Sequence, residues 1–254
     1  MLRDEDRHAF HSDSGYNCTN ECLLTHREMI KDLSIERSAG IASGGEVLFG
    51  VLLPFTRGEV IGVDHSYKAI LLTHLKAILL NTHGAQGVID TFSKPFRKAI
   101  DNLLKLSDQL PDSLRPIAQK DLTTRSAVYE NSYTPALSIG DMRYIVSSWK
   151  SLPEEIWKKG ADRLQDLTLL HGDLTDIPGE VDLLYTSNAL TGFNDRNGKV
   201  LEVPAIKSLV KVGSHMLATS IGRCMKEDWI KVSEKKATSP HRMTWTHQLL
   251  RKAS

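Results

Sequence analysis

Three adjacent residues, Ser43, Gly44 and Gly45, follow a short apolar run, and an aspartate, Asp64, closes the next one. Paired glycines let a backbone turn sharply and come close to a ligand with no Cβ in the way. A carboxylate at the end of a second strand can accept both hydroxyls of a ribose. These residue types therefore describe half of a nucleotide site, with His65 beside Asp64 as a further cofactor-binding candidate. The competing account is a plain βαβ packing unit whose glycines only serve a tight turn. The full order of strand, Ser-Gly-Gly, helix, strand and terminal Asp favours the site. The spacing is not the G-x-G-x-x-G of dinucleotide enzymes, and no Gly-Lys-Ser/Thr of a P-loop is present.

Further along, Tyr185, Ser187 and Asn188 sit at the end of another apolar run. Their oxygens can accept from an amine and hold its lone pair toward an electrophile. Tyr16 and Asn17 precede the first helical segment and are candidates for a lid, where an aromatic face can stabilise a cation. Cys18, Cys22 and His26 fall at i, i+4 and i+8, one face of a helix. Thiolate and imidazole are metal ligands, but no second C-x-x-C pair accompanies them. Buried thiols on a packing face are the preferred account, and no metal is expected.

The elements that must position these groups follow from pattern. Residues 16–33 read as a helix. Ser38 to Ala42 reads as a first strand, and Glu46 to Leu53 as an apolar helix stopped by Pro54. Glu59 to Val63 gives the second strand, and a helix with Leu71, Leu72, Leu75 and Leu79 follows. Roughly eighty residues then separate the second strand from the third, too many for one crossover. An inserted helical cap over about 91–165 is expected to help cover the site. Strands follow at Leu167–His171, Val181–Tyr185 and His215–Thr219, the last after a helix over Ala205–Val212 and a turn at Gly213. Trp229–Val232 and Arg242–Leu250 are expected to pair as a terminal hairpin.

The stretch IASGGEVLFGVLL, with GEVIGVD after it, resembles the first two motifs of class I S-adenosylmethionine-dependent transferases. Its continuation, VDHSYKAILLTHLKAILL, is similar to the 3-amino-3-carboxypropyl transferases and to the related enzymes that form azetidine-2-carboxylate. The likeness covers roughly residues 38–80 and departs at His65-Ser66-Tyr67, where that branch has Asn-Pro. It implies an α/β fold: a class I methyltransferase-like Rossmann sheet of seven strands whose last pair is a hairpin. To this the sequence adds an N-terminal arm and helical lid over 1–33 and the helical insertion, within a binding domain over 34–254.

The resemblance also implies a cofactor, S-adenosylmethionine, used as a substrate. Gly44 and Gly45 would meet its methionine part with Ser43 beside them, and Asp64 would hold the ribose. Asp173, or the neighbouring Leu174 amide, would read the adenine, with Asp176 as a rival. The end of the fourth strand would face the reacting carbon. The expected reaction is attack on the γ-carbon of the methionine moiety with release of methylthioadenosine. That attack is either cyclisation to azetidine-2-carboxylate or aminocarboxypropyl transfer to a small acceptor. Methyl transfer to a small molecule is the alternative.

Composition sets the surroundings. Of 254 residues, 41% are hydrophobic and 25% charged, the profile of a soluble globular chain. A net charge of +1 gives no field that would recruit nucleic acid or membrane as a whole, although it leaves room for a local basic patch. Three cysteines and a charged start without a hydrophobic segment fit a reduced, cytoplasmic protein. A small-molecule substrate, with neither nucleic acid nor membrane as partner, is the expectation.

Overall fold

The computed structural model describes residues 22–123, 139–187, 208–219, 229–238 and 244–253. Seven strands form one sheet: β1 (Ser38–Ile41), β2 (Val60–Asp64), β3 (Leu167–His171), β4 (Val181–Ser187), β5 (Val210–Thr219), β6 (Trp229–Thr238) and β7 (Thr244–Lys252). Their order is β3-β2-β1-β4-β5-β7-β6. All neighbours are parallel except β7, which runs antiparallel to both β5 and β6. This is the class I methyltransferase-like Rossmann sheet, and its last two strands are the expected hairpin, closed by Thr238 opposite Thr244.

Strand order reverses between β1 and β4. From β1 the chain proceeds outward to β2 and β3, then returns to β4 and proceeds the other way. Such a reversal of strand order is where open sheets of this kind leave a crevice at the carboxyl ends of the strands. The loop Ser43–Gly45, Asp64 and the end of β4 all lie at that edge.

One sheet face carries the described α- and π-helices: α1 (Leu23–Ile30), a π-helix (Leu48–Leu52), α2 (Leu53–Phe55), α3 (Tyr67–Phe92), α4 (Phe96–Leu104), α5 (Arg115–Thr123), α6 (Ile139–Trp149) and α7 (Glu154–Ala161). The other face buries Ala39, Ile61, Leu184, Met216 and Leu250. The insertion is built into the main core rather than standing as a separate cap. Leu103, Trp149 and Trp157 share one apolar cluster with the π-helix and with Leu183 and Tyr185 of β4. Trp149 and Trp157 stack with ring centroids 4.1 Å apart. Gly160 of α7 lies so close to the π-helix that a Cβ there would meet the Phe49 carbonyl oxygen at 2.1 Å.

Pro54 does not stop the helix after the glycine loop, as its sequence suggests. The helical chain runs on through α2 to Phe55, and Thr56 turns extended. Proline removes the N–H that would bond the carbonyl four residues back, here that of Gly50. Arg27 of α1 fills the vacancy with a hydrogen bond of 3.0 Å from its Nη1. The expected helix over Ala205–Val212 also ends early. β5 begins at Val210, and Gly213, at φ +83°, lies inside it where the pairing with β4 shifts register.

The described part of the N-terminal segment packs against the sheet. Leu23, His26 and Ile30 of α1 are buried against the sheet. His26 Nε2 lies 2.9 Å from His247 Nδ1 of β7, and Thr219 Oγ1 is 3.3 Å from the same nitrogen. His26 is thus committed to a buried pair, and among the described residues no group of three metal-ligating side chains occurs. Cys18 lies outside the described residues.

Burial pushes the His26 imidazole down from 6.5 to about 3. The unfolded chain takes up this proton first, so stability is complete above pH 6.5 and falls as the pH drops from there toward 3. Urea unfolding should show a loss approaching about 1.4 kcal/mol per pH unit across that window, and the slope should flatten in a His26→Phe variant. Equal slopes in the two proteins would remove His26 as the cause.

Candidate functional site

The loop after β1 has an unusual backbone. Ser43 (φ 41°), Gly44 (φ 82°) and Gly45 (φ 98°) are all left-handed. Gly45 has a second reason to lack a side chain: a Cβ would lie 2.5 Å from the Phe49 ring. A left-handed serine is strained and persists only where its surroundings determine it. Here they do. Gly45 N–H donates to the Ala42 carbonyl at 2.6 Å. Ser43 N–H donates to Asp64 Oδ2 at 3.1 Å.

Asp64 ends β2 almost fully buried, at 6% exposure. Its second oxygen, Oδ1, accepts from Ser66 N–H at 2.9 Å and so fixes the start of α3. Ser66 itself caps that helix. Burial raises the Asp64 carboxyl above the usual range, against the two backbone donors, which lower it. Each oxygen still has acceptor capacity toward a ligand hydroxyl. His65 Nδ1 stands 3.7 Å from Oδ1 with its side chain half exposed. The His65 carbonyl accepts from His171 Nε2 at 2.9 Å, and Tyr67 stacks on the His171 ring. Those two rings form an aromatic shelf at the ends of β2 and β3.

Beneath the glycine loop lies a charge pair that sequence reasoning missed. Lys76 of α3 and Glu46 are both fully buried, with Nζ 2.6 Å from Oε1. Lys76 Nζ also donates to the Gly44 carbonyl at 2.9 Å. Trp149 Nε1 donates to the same Glu46 oxygen at 3.2 Å. The loop is thereby held by side chains from α3 and from the insertion. A signal was available: Glu46 and Lys76 are opposite charges set in otherwise apolar helical stretches, where each needs a partner.

Other expected site residues fare differently. Asp173 is exposed and caps the turn Leu174–Asp176; its Oδ1 accepts from Thr175 N–H at 2.7 Å. Asp176 Oδ2 accepts from Asp173 N–H at 2.9 Å, so the two rivals form one reciprocal capping box. The Leu174 side chain is buried in the core of the other face, which leaves only its backbone for recognition. Tyr185 does not face the strand end. Strand alternation puts it on the side of Leu183, inside the helical core, fully enclosed and edge-on to His26 at 5.5 Å. Ser187 closes β4, its backbone in register with Ala218. Tyr16, Asn17 and Asn188 lie outside the described residues.

No family model matches the chain, and no curated protein matches it. Solved structures of similar architecture include the N-methyltransferase NodS from Bradyrhizobium japonicum WM9 in complex with S-adenosyl-L-homocysteine. It has a TM-score of 0.41 and 8% identity, over 91% of this chain and 84% of that one. The rRNA methyltransferase aviRa from Streptomyces viridochromogenes has a TM-score of 0.45 and 11% identity, over 99% and 94%. A ribosomal protein L11 methylase from Lactobacillus delbrueckii subsp. bulgaricus has 0.43 and 9%, over 92% and 78%. At such identities a substrate must be read from this chain's own residues.

Removing the cation alone should be far worse than removing both charges. Lys76→Met strands the buried Glu46 carboxylate and should lower unfolding free energy by about 3–5 kcal/mol. Adding Glu46→Gln should recover most of that loss in urea titrations. A double variant no more stable than the single one would show that the charge pair is not what holds the loop.

Proposed function

We propose that this chain is an S-adenosylmethionine-dependent transferase. The observation that carries the reading is the join of Ser43 N–H to a buried Asp64 carboxylate across the carboxyl ends of β1 and β2. A left-handed glycine backbone and a buried carboxylate meet there, beside the reversal of strand order where open sheets bind ligands, which supports reading Asp64 as the ribose acceptor. The residues present fit the group. Gly44 and Gly45 allow the methionine part to approach the backbone, and Asp64 has lone pairs left for the ribose. Asp173 keeps an exposed carboxylate for the adenine amine.

The sulfonium of such a cofactor activates the carbons bonded to it, and the geometry of the nucleophile selects among them. The protein's own work is then to orient and to exclude water. Methyl transfer, the commonest chemistry on this sheet, is the first reading. An acceptor amine would be oriented by the residues at the end of β4, Ser187 and Asn188, with Tyr185 supporting the strand from below. Tyr16 and Asn17 remain proposed lid residues, and His65 a neighbour of the ribose.

Attack on the γ-carbon is the second reading, and one observation favours it. Ser43-Gly44-Gly45, the Leu75-Lys76 helix and the Ser187-Asn188 pair are the three features resembling the aminocarboxypropyl branch, and Lys76 joins the first two by its bond to Gly44. Two of the three likenesses therefore belong to one hydrogen-bonded unit.

Products decide between the readings. The purified protein should be incubated with S-adenosylmethionine alone, and again with a pool of small amines and RNA, and the products identified by mass spectrometry. S-adenosylhomocysteine with a methylated acceptor supports methyl transfer. Methylthioadenosine supports γ-carbon attack, and azetidine-2-carboxylate beside it shows cyclisation. Unchanged cofactor in every incubation would count against transferase activity altogether.

A further inference from the structure

The inserted helices carry a groove that the cofactor chemistry does not use. It encloses about 660 Å3 between α6 and the chain joining α3 to α4. Arg143, Val146, Ser147 and Lys150 line it from one side at i, i+3, i+4 and i+7, a single helix face. Arg143 and Lys150 therefore stand about 10 Å apart along the axis. Lys94 lines the opposite wall, and no carboxylate lines either. All three cations are exposed, and none is paired with a carboxylate among the described residues. Arg97 and Lys98 follow Lys94 on the first turn of α4 and extend the positive edge.

The floor is apolar. Phe92 and Met142 are buried beneath the cations at 2% and 4% exposure, while Phe96 stands at the rim, 36% exposed. An exposed aromatic ring flanked by cations is the pattern that holds unpaired bases while tracking a phosphate backbone. A duplex hides its bases in the stack and leaves such a ring without a partner. Two cations about 10 Å apart along the helix suit a ligand that carries more than one phosphate, as an extended strand does. The hydroxyls of Ser93 and Ser147 add neutral donors between them. The net charge of +1 provides no such attraction for the chain as a whole, so the groove is a local feature.

We propose that this groove binds single-stranded nucleic acid, with the sugar–phosphate backbone along Arg143 and Lys150 and a base against Phe96. The inference does not rest on the cofactor reading, and its test contains no S-adenosylmethionine. Fluorescence anisotropy of a labelled single-stranded oligouridylate should show saturable binding. Two phosphate contacts, at Arg143 and Lys150, give a slope of log affinity against log salt of roughly −1.4. Arg143→Glu with Lys150→Glu should weaken binding by about tenfold or more and flatten that slope, with the thermal midpoint unchanged. Phe96→Ala should weaken binding without changing the slope. No binding at low salt, or binding that survives the double substitution, overturns the proposal. So does equal affinity for a duplex, for ADP or for polyglutamate, which assigns the groove to another ligand or to charge alone.

Discussion

A charge pair sealed beneath the glycine loop constrains everything at the carboxyl edge of this sheet. Lys76 and Glu46 cannot leave water singly, because each alone would be an uncompensated buried charge. Together, 2.6 Å apart, they tie three pieces of chain that are distant in sequence. Glu46 belongs to the first helical residues after the loop, Lys76 to the helix after Asp64, and Trp149 to the insertion. Because Lys76 also bonds the Gly44 carbonyl, the loop's shape follows from how α3 and α6 pack. The insertion, which first looks like an addition over the site, thereby supports the loop from below.

Above that pair, Asp64 performs two tasks. Its carboxylate holds Ser43 and Ser66 by their backbone N–H groups, which fixes the distance between the end of β1 and the start of α3. It also keeps acceptor capacity at the crevice where strand order reverses. Burial that raises its proton affinity is opposed by those donors, and ligand hydroxyls would add to them. The arrangement suits a transfer whose reactivity resides in the cofactor and whose protein groups orient and desolvate.

Much of this was legible in the residues. Strand, Ser-Gly-Gly, helix, strand and Asp could be read because glycine and alternation report local backbone directly. The terminal hairpin was legible for the same reason. What could not be read depends on partners far away in the chain. Pro54 should end its helix; one residue more, Phe55, is helical, and the Gly50 carbonyl that proline leaves without a backbone donor accepts from Arg27, on another element. Tyr185 ends an apolar run and looks exposed, yet the pleat turns it inward onto His26. Val210 reads as helix until the bulge at Gly213 lets β5 begin there. Glu46 and Lys76 were visible as misplaced charges, but nothing local paired them. Asp173 was visible as an acid at a strand end, and its capping role emerged only with the turn it closes.

The central claim is that the Ser43–Asp64 join is an S-adenosylmethionine site. Isothermal titration calorimetry tests it most directly, with S-adenosylmethionine added to the intact protein and to an Asp64→Ala variant. The account predicts saturable binding of one molecule per chain that is abolished in the variant. No heat with the intact protein, or equal affinity in the variant, would contradict it.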